Sequence, residues 1–146
     1  MTDKLIIGVA TDHAGYACKE IVRKYLNRQG FSAHDFGCFS TESADYPDTA
    51  HPLAEALQRH AISAGFAFCG TGNGMAMALN RHRGIRAGIA WTPELSEVIR
   101  SHNNANICVI PARYIEADEL LVIVETFLQT DFEGGRHLRR IEKIDI

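Results

Sequence analysis

Short apolar runs alternate along this chain with longer segments of helical spacing, and that alternation restricts its fold more than any other feature. Lys4–Ala10, Phe31–Phe36, Phe66–Cys69, Ile85–Ala90 and Ile107–Ile110 read as strands. Gly15–Gln29 reads as a helix with Ala17, Ile21, Val22, Tyr25 and Leu26 on one face, stopped by Gly30. Thr49–Ala64 follows the same logic with Leu53, Ala54, Leu57 and Ala61 spaced for burial, and Gly65 ends it. Met75–Asn80 reads as a short helix. Pro93–Ser101 is a helix capped by Thr92 with proline at its first position. Ile115–Leu128 is strongly amphipathic, whereas Ser40–Asp48, which holds Pro47, reads as a loop. Apolar strands that alternate with helices must be covered on both faces, which predicts a mostly parallel sheet between helical layers. With 146 residues and no internal repeat or linker, the chain is expected to form one domain.

In open sheets of this kind ligands bind beyond the carboxyl ends of the strands. That rule selects Asp12-His13, Cys69 to Gly74, Thr92 and Arg113. A net charge of −3 argues against general affinity for nucleic acid. The basic residues are nevertheless clustered, Arg81, Arg83 and Arg86 together and Arg136, Arg139 and Arg140 near the end, which suits a small anion better than a polymer. The run from Leu5 to Ala10 is too short for a signal sequence and nothing approaches a membrane span, so the expected location is the cytoplasm. In that reducing setting, unpaired Cys18, Cys38 and Cys108 read as small buried hydrophobes.

Gly70-Thr71-Gly72-Asn73-Gly74 is the most informative segment. Three glycines between a strand and a helix either make a tight turn or let backbone N–H groups converge on an anion. Methionine at position 75 breaks the dinucleotide fingerprint, and no lysine is placed for a P-loop. Cys69 stands directly before this segment, where a helix N-terminus favours a thiolate, and it is the candidate base. Asp12-His13 is either a helix N-cap or a polar pair facing the same cleft. His102-Asn103-Asn104 closes a helix whose C-terminus favours a cation, and a simple C-cap is the alternative. Arg136 and Arg140 lie one helical turn apart, as a solvated tail or as a phosphate clamp. No histidine or carboxylate spacing suggests a metal site: there is no H-E-x-x-H, and His34, His51, His60 and His82 form no ligand pattern.

Together these segments resemble the type B ribose-5-phosphate isomerases and the related galactose-6-phosphate isomerase subunits. The likeness runs through Asp12-His13-Ala14-Gly15, Asp45-Tyr46-Pro47, Cys69-Gly70-Thr71-Gly72-x-Gly74, Gly84-Ile85-Arg86-Ala87, His102-Asn103-x-Ala105-Asn106 and Gly134-Gly135-Arg136-His137-x-x-Arg140. It implies a Rossmann-like three-layer α/β/α sandwich with a five-stranded parallel sheet, and a homodimer or dimer of dimers whose active sites each use two subunits. The tail over 130–146 is expected to pack on the partner. The resemblance also implies roles. Cys69 would be the base beside the carbonyl, and His102 would open the sugar ring with help from Asp12. Thr71 and the N–H groups from Gly70 through Gly72 and Asn73 to Gly74 would hold the enediolate. Tyr46 and Asn103 would line the sugar site, while His13, Arg113, Arg136 and Arg140 would hold the phosphate. Neither a metal nor an organic cofactor is implied.

The expected reaction is interconversion of ribose 5-phosphate and ribulose 5-phosphate. The alternatives are another sugar phosphate (allose, galactose or a tetrose) and a sugar-phosphate-binding module without turnover. Both Cys69 and His102 are present in one chain, which favours a self-sufficient homo-oligomer over a pair of different subunits. The chain departs from the family pattern at Ala10-Thr11, Thr49, Leu79-Asn80-Arg81, Arg83 and Pro111-Ala112, which bears on substrate size. Met75 stands where some relatives place a glutamate base, leaving the cysteine route.

Overall fold

A computed structural model describes residues 4–146. Five strands, β1 (Ile6–Thr11), β2 (Ser32–Asp35), β3 (Ala64–Cys69), β4 (Ala87–Ile89) and β5 (Ile107–Pro111), form one sheet in the order β2-β1-β3-β5-β4. Every pairing is parallel. The helices are α1 (Tyr16–Arg28), α2 (Pro47–Gln58), α3 (Asn73–Leu79), α4 (Pro93–Ser101), α5 (Ala117–Gln129) and α6 (Arg136–Ile141). The three-layer α/β/α expectation therefore holds.

The period of two along each strand sorts the core into two halves. Ile7, Val9, Phe66, Phe68, Cys108 and Ile110 pack against α1, α4 and α5. On the other face, Ala10, Ala67, Ile107 and Val109 pack against α2 and α3, and Cys69 points to this side. The small residues Gly8, Ala10, Gly65 and Ala67 on that face let α2 approach closely. A Cβ at Gly65 would stand 3.2 Å from Leu53 Cδ1. Gly65 thus lies inside β3 rather than ending the preceding helix, which already stops at Gln58. Pro47 is likewise not a loop residue but opens α2, because a ring without an N–H costs nothing in a first helical turn. The α4 boundaries match the expectation residue for residue, with Thr92 Oγ1 accepting from the Leu95 N–H at 3.1 Å.

Lys19 is fully buried on α1. Its ammonium donates to both Asp35 carboxylate oxygens at 2.9 and 2.7 Å and to the Cys38 carbonyl at 2.7 Å. It also lies over the Tyr16 and Phe39 rings, at 5.2 and 5.0 Å from their centroids. The Cys38 N–H in turn donates to the Thr11 carbonyl at 2.8 Å, so the segment after β2 is tied to the end of β1. Among the described residues, no helix is long and apolar enough to cross a membrane.

Candidate active site

The carboxyl edge of the sheet gathers one group of the expected residues. Cys69 ends β3 opposite Pro111, the last residue of β5. Its sulfur accepts from the Gly72 N–H at 3.2 Å, and Thr71 Oγ1 accepts from the Asn73 N–H at 3.3 Å. Gly72 has φ +80°, which lets the chain turn sharply from the strand into α3. Thr71 is exposed at the rim of the turn and Cys69 is almost wholly buried at its base. Cys108 is sealed inside the other core half, where burial pushes its pKa far up.

Arg113 follows β5 in a short helical turn, and its N–H donates to the Gly70 carbonyl at 3.1 Å. Its guanidinium lies over Gly70, where a Cβ would meet it at 3.0 Å. The Tyr46 ring lies against Gly74 more tightly still, since a Cβ there would stand 2.4 Å from Tyr46 Cζ. Glycine at positions 70 and 74 thus serves close approach, bringing a cation and a phenol up to the turn. Asp12 acts as a cap, accepting from the N–H groups of Ala14 and Gly15 at 3.0 and 3.3 Å. His13 Nδ1 faces the backbone of Ala44, 3.1 Å from its N–H and 3.2 Å from its carbonyl oxygen.

His102, Asn103, Arg136 and Arg140 are absent from this group. His102 caps the C-terminus of α4, which runs back to the amino edge of the sheet, shortly before Asn106 and the start of β5. Strand β5 spans Ile107–Pro111, and at about 3.3 Å per residue roughly 16 Å of sheet separates the two edges. At the amino edge a cleft of about 310 Å³ is lined by His102, Asn103, His137, Arg140, Ile141 and Ile144. The rings of His102 and His137 stack there, with centroids 4.3 Å apart and planes 12° from parallel. Glu133 Oε2 stands 3.4 Å from His137 Nε2 and 3.9 Å from His102 Nε2. His137 and Glu133 were not singled out from the sequence, although Glu133 is four residues before His137 and an adjoining arginine pair marks the segment.

The tail beyond α6 folds back on its own chain. Asp145 accepts from the Gly84 N–H at 2.9 Å, and Arg83 donates to the Ile146 carbonyl at 3.0 Å. Leu138 and Ile144 remain exposed beside the amino-edge cleft.

Comparison with known proteins identifies the family and the fold. The family model described as Ribose/Galactose Isomerase matches residues 7–144. A probable ribose-5-phosphate isomerase B of Mycoplasma pneumoniae is 38% identical over 139 residues, 94% of this chain and 91% of that protein. The crystal structure of a ribose 5-phosphate isomerase from Thermotoga maritima superposes with a TM-score of 0.95 at 47% identity, covering 98% of this chain and 99% of the other. The Mycoplasma genitalium ribose-5-phosphate isomerase B, solved with bound ribulose-5-phosphate, gives a TM-score of 0.92 at 34% identity, covering 98% and 95%.

Proposed function

Because the chain belongs to the ribose/galactose isomerase family, the aldose–ketose isomerases of sugar phosphates, we propose that it interconverts D-ribose 5-phosphate and D-ribulose 5-phosphate in an active site built from two copies of itself. The observation that carries the two-copy reading is the placement of Cys69 and His102 at opposite edges of the sheet. A pentose phosphate cannot reach both edges of one chain. A symmetric dimer presents each edge twice and makes two equivalent composite sites. Leu138 and Ile144, exposed within the segment 130–146, supply the apolar surface such a contact needs, while Asp145 and Ile146 are held by their own chain. A single domain spanning 1–146 then contributes half of each site, and larger assemblies are dimers of that dimer.

In this reading His102 of one chain protonates the ring oxygen of the furanose, and Asp12 of the other assists at the hydroxyl that becomes the carbonyl. Cys69 removes the proton from the carbon beside the carbonyl and returns it to the neighbouring carbon. No electron acceptor is required, since the hydrogen that leaves one carbon is replaced at the next. Negative charge gathers on the enediolate oxygens, within reach of Thr71 and the N–H groups from Gly70 to Gly74. Preorganised donors of that kind are each worth about 3 kcal/mol. Tyr46 and Asn103 line the sugar from opposite chains. Arg113 and His13 from one chain and Arg136 and Arg140 from the other hold the phosphate, which orients the reacting carbons from a distance.

Subunit mixing tests the reading. Cys69→Ala and His102→Ala homodimers are each expected to be nearly inactive. Equal mixing with verified exchange makes about half of the dimers mixed, and each mixed dimer has one intact site, so activity returns to about a quarter of wild type. If verified exchange restores nothing, the two residues act from one chain and the composite site is wrong. Turnover of ribose 5-phosphate no better than that of allose or galactose 6-phosphate rejects the substrate assignment.

A further inference from the structure

We propose that His102, Glu133 and His137 form an inhibitory site for a borderline divalent cation such as Zn²⁺ at the amino-edge cleft. Each residue offers one ligand atom, and these atoms all lie within 4.8 Å of one another. The Glu133–His137 separation of 3.4 Å equals the edge of a tetrahedron whose bonds are about 2.05 Å, and the 3.9 Å to His102 is only slightly longer. The second observation is independent of this spacing. His137 is 7% exposed, and among the described residues its Nε2 atom has no hydrogen-bond partner. A buried ring nitrogen left without a partner costs free energy that a ligand can recover. Glu133 is within range but lacks hydrogen-bond alignment.

The chemistry of the cleft selects the cation. Two imidazoles and one carboxylate favour Zn²⁺, Co²⁺, Ni²⁺ or Cu²⁺ over Mg²⁺, which prefers oxygen ligands and holds its water. Three protein ligands leave one position open for water or an anion. His102 is the partly exposed member of the stack, so its ring tilts toward the cation while buried His137 stays in place. Metal-bound His102 cannot pass a proton to a ring oxygen, so occupation of this site blocks ring opening. That consequence rests on the role proposed for His102, whereas binding itself does not.

The experiment titrates the full-length protein with Zn²⁺, in the Cys69→Ala background to remove the thiol of the proposed active site, and reads binding by calorimetry. Co²⁺ serves as a spectroscopic probe of coordination number. Zinc is expected to bind at one ion per chain and to be indifferent to excess Mg²⁺. Glu133→Gln and His137→Gln are each expected to weaken binding by about tenfold or more, since even an indirect partner of a metal ligand is worth that much. Glu133 is exposed, so its variant keeps the fold if His137→Gln does not. In the otherwise wild-type protein, Zn²⁺ should inhibit turnover reversibly, and Glu133→Gln should keep its metal-free activity while losing zinc sensitivity by the same factor. Binding that disappears with Cys69, or that ignores both substitutions, overturns the site. So does His137-dependent binding of inorganic phosphate with no binding of Zn²⁺. If zinc binds as expected but does not inhibit, the site stands as a metal site, the inhibitory claim fails, and the ring-opening role of His102 is what must be revised.

Discussion

Replacing Lys19 with methionine removes the charge and keeps most of the volume of a side chain buried between α1 and the sheet. Three hydrogen bonds go with it: the two to Asp35 and the one to the Cys38 carbonyl. Breaking a fully buried ion pair from one side costs about 3–5 kcal/mol, mostly because the remaining charge is stranded. Asp35 keeps 20% of its side chain exposed and still accepts from the Gly37 N–H at 2.8 Å, so water recovers part of that loss. The expected cost is about 2–4 kcal/mol. At about 3 °C per kcal/mol for a chain of this size, Lys19→Met should lower the melting temperature by roughly 6–12 °C. The assay is thermal unfolding at fixed protein concentration, with Asp35→Asn and the double variant completing the cycle. Asparagine retains an acceptor for Gly37, so Asp35→Asn isolates the charge. The double variant should be no less stable than Lys19→Met alone. A melting temperature within about 2 °C of wild type, or fully additive losses, refutes the idea that this pair holds the segment after β2 to the end of β1.

Three further outcomes follow from the site. Gly74→Ala should leave thermal stability unchanged or slightly raised, because alanine favours α3, yet it should cut kcat/KM about ten- to hundredfold as Tyr46 is pushed off the turn by roughly 1 Å; an unchanged kcat/KM contradicts the close-approach role. Cys69→Ala should abolish exchange of the substrate's carbon-bound proton with solvent while sugar-phosphate binding survives, and near-normal exchange in that variant sinks the assignment of the base. His102→Ala should lose most activity on a furanose substrate and much less on a tetrose 4-phosphate that the protein accepts and that cannot close that ring; equal losses count against ring opening.

How far a sequence discloses such a site depends on which contacts are local. The turn after β3 was legible because its chemistry is contiguous: strand, thiol, glycines and helix follow one another, and Cys69 to Gly74 lie where that order puts them. The end of α2 was misjudged because Gly65 looks like a helix stop, whereas it is glycine to make room for Leu53 from another element. Nothing within α1 marks Lys19 for burial, since Asp35, which makes its burial tolerable, belongs to a strand outside that helix. Glu133 precedes α6 in irregular backbone, so helical spacing gave no reason to join it to His137, and His102 comes from a helix far back in the chain. The separation of Cys69 from His102 was open to inference. In a parallel sheet each strand ends at one edge, and each following helix returns the chain to the other. A residue that closes a strand and a residue that closes the helix before a strand must therefore lie on opposite edges. Chemistry divided in this way suits a small substrate only when a second copy brings its amino edge to the first copy's carboxyl edge. In the two-copy reading proposed above, pairing is a condition of catalysis and not an addition to it.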